Sequence, residues 1–142
     1  MADPGACPSL AAMTWPRVGD LRSLELGSPG EMRARLNGLV LAGHKRATAG
    51  VLDEYGEENE AVEHVGERLA LLDDDGAQVA TVEVTSVEVA AFAEVPWDFA
   101  AAEGEGHRDL EHWREGHRRF WAGEGRTVRD ETPIVMLRFR VV

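Results

Sequence analysis

Lys45 and Thr48 stand three residues apart in the run Gly43-His44-Lys45-Arg46-Ala47-Thr48-Ala49-Gly50, directly behind an apolar helical stretch. A lysine beside a hydroxyl offers a base and a nucleophile. A lysine works as a base only if burial or a neighbouring cation brings it down from about 10.4, and a threonine attacks only when something removes its proton. Such a pair needs a pocket. Lys-x-x-Thr is common, and a solvated lysine followed by a strand threonine accounts better for the motif taken alone. A second cluster, Ala102-Glu103-Gly104-Glu105-Gly106, shifts that balance. Its two carboxylates precede a helical pattern, where free backbone N–H groups and the helix dipole would hold anions. The glycines on both sides of Glu105 weaken a helix and let another backbone or a ligand come close, which favours a functional carboxylate over a solvated one. A carboxylate near a lysine opposes its use as a base, and desolvation or Arg46 would have to outweigh that pairing.

Other candidate groups carry less. The chain has five histidines, of which His107, His112 and His117 step by five residues. On a helix they turn steadily around the axis and do not share the i, i+4 face of a zinc helix, so no metal is expected. His117 beside Trp113 reads as a hydrogen-bonded core histidine. Arg114, Arg118 and Arg119 read as a solvated face paired with Glu111 and Glu115. Trp97, Trp113 and Trp121 are first of all core material, since the chain has few aromatics. The Gly-x-Gly fragments follow no strand of a βαβ unit and are no phosphate-binding signature.

The elements that must position Lys45 and Glu105 are legible in outline. Ser28, Pro29 and Glu31 read as a capping box that opens a helix over 29–42. Met32, Leu36, Leu39 and Val40 share its inner face, and Gly43 is the expected left-handed stop. Residues 47–52 read as a short strand, and the acidic, aperiodic 53–66, with Tyr55, as a surface loop. Residues 68–72 and 78–89 are rich in β-branched and aliphatic residues and are joined through Asp75-Gly76, a hairpin signal. Val82, Val84 and Val87 are assigned to the core, with Thr81, Glu83 and Thr85 on the other face. Leu110, Trp113, His117, Phe120 and Trp121 recur every three or four residues, which predicts an amphipathic helix over 108–122. Residues 134–142 close the chain as a strand, with Leu137, Phe139 and Val141 alternating against Arg138 and Arg140. Helix, strands, helix, strand is an α+β order, not a doubly wound one.

Composition bounds the function. At 142 residues and 44% hydrophobic content, one domain with an ordinary core is expected. Residues 1–14 read as a flexible arm anchored by Trp15, ahead of a single domain over 15–142. The formal charge of −11 opposes polyanion binding, because nucleic-acid affinity rests on Lys and Arg neutralising phosphates. The single cysteine, Cys7, excludes an intrachain disulfide and fits a reducing compartment. No basic, apolar leader and no apolar run of about 18 residues is present, so a cytoplasmic protein without a membrane span is expected.

The chain resembles the ASCH domains, small proteins related to the PUA-like RNA-binding β-barrels. The resemblance rests on three segments: Leu39 to Thr48, which is similar to the family's Gly-x-Lys-x-x-Thr signature; Val65-Gly66 before a strand; and Ala102 to Glu105 followed by Leu110, Trp113, Arg114 and His117. It implies an α+β fold, a PUA-like partly open β-barrel with flanking helices, and a cleft where the signature loop meets the glutamate segment. Some members hydrolyse the amide of N4-acetylcytidine through a lysine, a threonine and a glutamate. Those roles fall here on Lys45, Thr48 and Glu105. The resemblance makes Gly43, Arg46, Tyr55, Glu103 and Arg114 the expected substrate contacts, with no cofactor and a small nucleoside-like ligand. Other members are reported to cleave or bind single-stranded RNA, so an RNA module and a non-catalytic nucleotide-binding domain are the alternatives. One position departs: many members carry an arginine where this chain has Gly50, and a bidentate donor is thereby lost.

Overall fold

A computed structural model describes residues 15–142. The proposed arm and Cys7 lie outside the described residues. Among the described residues six strands form one mixed sheet in the order β1-β2-β4-β5-β6-β3. They are β1 (Arg17–Val18), β2 (Leu21–Leu24), β3 (Ala47–Val51), β4 (Arg68–Leu72), β5 (Gln78–Ala91) and β6 (Pro133–Val141). Only β2 and β4 run parallel. The sheet is not closed, and four helices flank it: α1 (Glu31–Leu41), α2 (Leu52–Glu57), α3 (Trp97–Ala102) and α4 (Leu110–Gly123). This is the α+β, partly open arrangement that the resemblance implied.

Strand β6 divides the core. Ile134 and Met136 join Phe92, Phe99, Trp113 and Trp121 on one face, whereas Val135, Leu137 and Phe139 join Leu36, Val40, Leu69 and Val84 on the other. Lying between β5 and β3, β6 is buried on both faces from Ile134 to Leu137, and the expected alternation holds only from Leu137 to Arg140. Val141 is exposed rather than core. In β5, Val82, Val84 and Val87 do reach one core although their parity differs. A bulge between Val84 and Ser86 supplies the extra residue that restores the face.

Three local expectations are corrected. The capping box does not form: Gly30, at φ 102°, takes the N-cap position of α1 without a side-chain cap. Its N–H donates to Asp74 Oδ2 at 2.6 Å, and the Ser28 hydroxyl turns to the Met32 sulfur. The first part of the acidic loop is helix α2, which buries Tyr55. So short a helix presents too few inward positions to display a period. Residues 97–102, for which the sequence predicted no element, form α3 behind Pro96, with Phe99, Ala100 and Ala102 buried. Glu103 therefore follows the carbonyl end of a helix and not the N–H end of the next one. Helix α4 is capped instead by Asp109, which accepts from the His112 N–H at 2.8 Å.

Candidate functional site

Two glycines bring the lysine and the glutamates together. Gly43, at φ 80°, ends α1 and lets the N–H groups of both His44 and Lys45 donate to the Leu39 carbonyl before the chain enters β3. Gly104, at φ 65°, turns the chain after α3 so closely against this loop that a Cβ would lie 2.0 Å from the His44 carbonyl oxygen. The Arg46 N–H donates to the Ala102 carbonyl at 2.8 Å, and the Arg46 carbonyl accepts from Phe139. The close backbone approach expected of the glycine-bounded acids is thus made by the signature loop itself.

Lys45 is 2% exposed. Its Nζ donates to Glu105 Oε2 at 2.7 Å and to the Ala47 carbonyl at 2.8 Å, and lies 3.7 Å from Glu103 Oε2. Glu103, 1% exposed, is held by side chains on α4: Trp113 Nε1 donates to its Oε1, and His117 Nε2 is 3.0 Å from the same oxygen. Burial opposes its charge, but Lys45, His117 and the indole together hold its carboxyl well below the usual carboxylate range. The His117 ring stacks on Trp113 at 4.1 Å between centroids. His107, which precedes α4, completes a ring cluster with His112 and His117 at 5.1 and 5.6 Å. Burial and the His117 charge lower its pKa from the ordinary histidine value.

Lys45, Thr48, Glu103, Glu105, His107 and His117 line one cavity of about 160 Å³, walled on its other side by Leu26, Met32 and Leu36. A larger cavity of about 310 Å³ adjoins it and shares Leu26, Gly27, Thr48, Ala49, Phe120 and Trp121. Buried Arg33 pins the shared wall by donating to the Leu26 and Gly27 carbonyls at 3.0 and 3.1 Å. The larger cavity carries Trp15, Tyr55, Glu54, Glu63 and Glu124. The Tyr55 hydroxyl donates to Glu63 at 2.8 Å, and the Trp15 backbone N–H to Glu60 at 3.0 Å. Burial raises the carboxyls of Glu54, Glu63 and Glu124 above their ordinary values, and Glu54 is raised further by Glu124. Gly50 lines this cavity, where a Cβ would make ordinary contact with the Tyr55 ring at 3.8 Å.

Of the expected site residues, Lys45, Thr48, Glu103 and Glu105 share one cavity and Tyr55 lines its neighbour. Gly43 and Arg46 are exposed and line neither, and Arg114 donates to the Ala93 carbonyl away from both. His117 and Glu63 were not expected there. The i, i+4 spacing of His117 to Trp113 carried a signal, but it fitted a core histidine equally; for Glu63 the aperiodic loop carried none. The carboxylate oxygens of Glu103 and Glu105 and a His117 nitrogen lie within 4.8 Å of one another, a spacing that would suit a cation. The Lys45 ammonium already lies against both carboxylates and supplies the positive charge.

Comparison with known proteins agrees with this fold. The chain is similar to protein EF3133 from Enterococcus faecalis V583, with 32% identity, 83% of this chain and 74% of that chain covered, and a TM-score of 0.73. It is similar to an ASCH domain from Lactobacillus crispatus JV V101, with 29% identity, coverage of 87% and 82%, and a TM-score of 0.74. An ASCH protein from Zymomonas mobilis shares the fold alone, at 7% identity, coverage of 75% and 63%, and a TM-score of 0.51. No curated protein matches the chain. The family model for the ASCH domain matches residues 23–142, and with the signature lysine, threonine and glutamates gathered at one cleft, the chain belongs to the ASCH domain family.

Proposed function

We propose that this protein is an amidohydrolase for an acylated nucleoside similar to N4-acetylcytidine, acting through Lys45, Thr48 and Glu105. The observation that carries the reading is a buried lysine ion-paired to Glu105 at 2.7 Å in a cavity that Thr48 also lines. An ion-paired ammonium takes up no proton until it has given one away. Glu105 is the acceptor at hand: transfer across the 2.7 Å contact leaves a neutral amine and a carboxylic acid. The amine then removes the Thr48 proton as Thr48 Oγ1 bonds to the acyl carbon, and the acid protonates the departing nitrogen as the C–N bond breaks. Acylation thus returns Lys45 and Glu105 to the ion pair; water then adds its oxygen to the acyl carbon of the acyl-threonine ester, the carboxylic acid departs, and a proton returns to Thr48 Oγ1.

Substrate size and charge follow from the adjoining cavity. Its carboxylates accept hydrogen bonds from exocyclic amines and hydroxyls and repel a phosphate, and its aromatic walls suit a flat base. The expected ligand is a neutral nucleoside rather than a nucleotide. The test is chromatographic turnover of N4-acetylcytidine by the purified protein and its Lys45→Ala and Lys45→Ala/Thr48→Ala variants. Groups that act as one unit give non-additive losses, so both variants should lose at least about 10³-fold in kcat/KM, and to a similar degree. Wild-type turnover in Lys45→Ala would eliminate the mechanism.

A further inference from the structure

The chemistry of Lys45, Thr48 and Glu105 leaves both imidazoles of the cavity, His107 and His117, unused, and His117 is the one in contact with a carboxylate. His117 Nδ1 is 2.9 Å from the Trp113 carbonyl oxygen. A carbonyl only accepts, so this nitrogen carries a hydrogen. His117 Nε2 is 3.0 Å from Glu103 Oε1. A neutral ring with its hydrogen on Nδ1 would present a lone pair there to a carboxylate oxygen, and two acceptors at that distance repel unless a proton lies between them. Geometry alone therefore places an additional proton on the His117–Glu103 pair.

That proton bears on Lys45, because two carboxylates compete for its ammonium. The contact to Glu105 is 2.7 Å and that to Glu103 is 3.7 Å, although Glu103 is the more deeply buried. Glu103 Oε1 is engaged by the Trp113 indole and the His117 imidazole, whose positive charge offsets its own. We propose that His117, as an imidazolium paired to Glu103, is a positioning residue that keeps Lys45 on Glu105 and beside Thr48. Without the imidazolium, Glu103 would be an under-neutralised buried anion and would draw the ammonium away. The consequence for turnover rests on the amidohydrolase reading; the protonated pair itself does not.

The groups facing His117 have opposing effects. Burial disfavours its charge and the Lys45 ammonium lies across Glu103, while the Glu103 hydrogen bond and the Glu103 and Glu105 charges outweigh burial and raise it above the ordinary histidine value; the His107 ring beside it has its own value lowered. The proton is therefore held to a higher pH than on an ordinary histidine and is lost as pH rises through the raised folded value.

Two measurements test this. Nitrogen-15 NMR of the wild-type imidazoles at pH 7 should show both His117 nitrogens protonated, and a His117 ring with one bare nitrogen overturns the pair whatever the activity. His117→Gln, which keeps a donor to Glu103 but no charge, should lower kcat about 10²-fold through misplacement of Lys45, with KM little changed. It should also lose the alkaline limb of the wild-type pH profile, whose midpoint coincides with the NMR titration of His117. An unchanged pH profile in His117→Gln refutes the positioning role. A wild-type protein that turns over no acylated nucleoside yet shows a doubly protonated His117 supports the pair and counts only against the amidohydrolase reading.

Discussion

At the scale of single residues, the site is a balance of buried charges, each with a named partner. Lys45 and His117 face Glu103 and Glu105, so two cations meet two anions in one cavity. Glu63 differs: its near neighbour is the Tyr55 hydroxyl, and burial raises its carboxyl above the ordinary value despite that hydrogen bond. A raised carboxyl stabilises the fold below the ordinary value of about 4.3, and that contribution is lost as pH rises through the folded value. Glu63→Gln keeps an oxygen for Tyr55 and removes the charge that burial disfavours. Its Tm should exceed that of the wild type at pH 8, and the gain should vanish near pH 4, where both side chains are neutral. A lower Tm at pH 8 would show that the charge itself is needed.

At the scale of elements, the cleft exists because two turns touch. Gly104 sits in the left-handed region with the His44 carbonyl where a Cβ would be, whereas Gly106, at φ 89°, has open space there. Both glycines would be strained as alanine, by about 1–3 kcal/mol for an unfavourable backbone conformation. Only Gly104→Ala must also push the signature loop off the end of α3. It should therefore cost at least about 2 kcal/mol more than Gly106→Ala by denaturant unfolding, the range of a clash that the backbone must relieve. Equal losses in the two variants would mean that the loops part freely.

At the scale of the whole molecule, charge selects the partner. With 26 acids against 15 bases, the long-range field opposes a polyanion. Three of the cations are already paired: Arg138 with Asp98, Arg140 with Glu83 and Arg126 with Glu57. A binder with six to ten phosphate contacts loses about 10³- to 10⁵-fold in affinity between roughly 50 and 200 mM salt. Fluorescence anisotropy with a labelled single-stranded RNA should show only weak binding at physiological salt. Submicromolar, steeply salt-dependent binding would instead favour the RNA-module reading over the amidohydrolase.

The sequence by itself determined the α+β order, α1 and its glycine stop, the β4–β5 hairpin and the α4 stripe, whereas the meeting of the lysine and glutamate motifs, sixty residues apart, was expected only from the family resemblance. Each of the former is local: periodicity, turn chemistry and spacing act within a few residues and are visible along the chain. It did not determine what holds Glu103, because the donors come from α4, ten and fourteen residues further on, and only folding turns Trp113 and His117 toward it. Nor did it show the cavity behind Thr48, whose walls come from the β2–α1 connection, α2, the chain before β4 and α4. His117 makes the distinction plainest. An imidazole on an apolar stripe is a core histidine by pattern, and it becomes a charged partner only because a buried carboxylate, delivered by the turn at Gly104, stands 3.0 Å away.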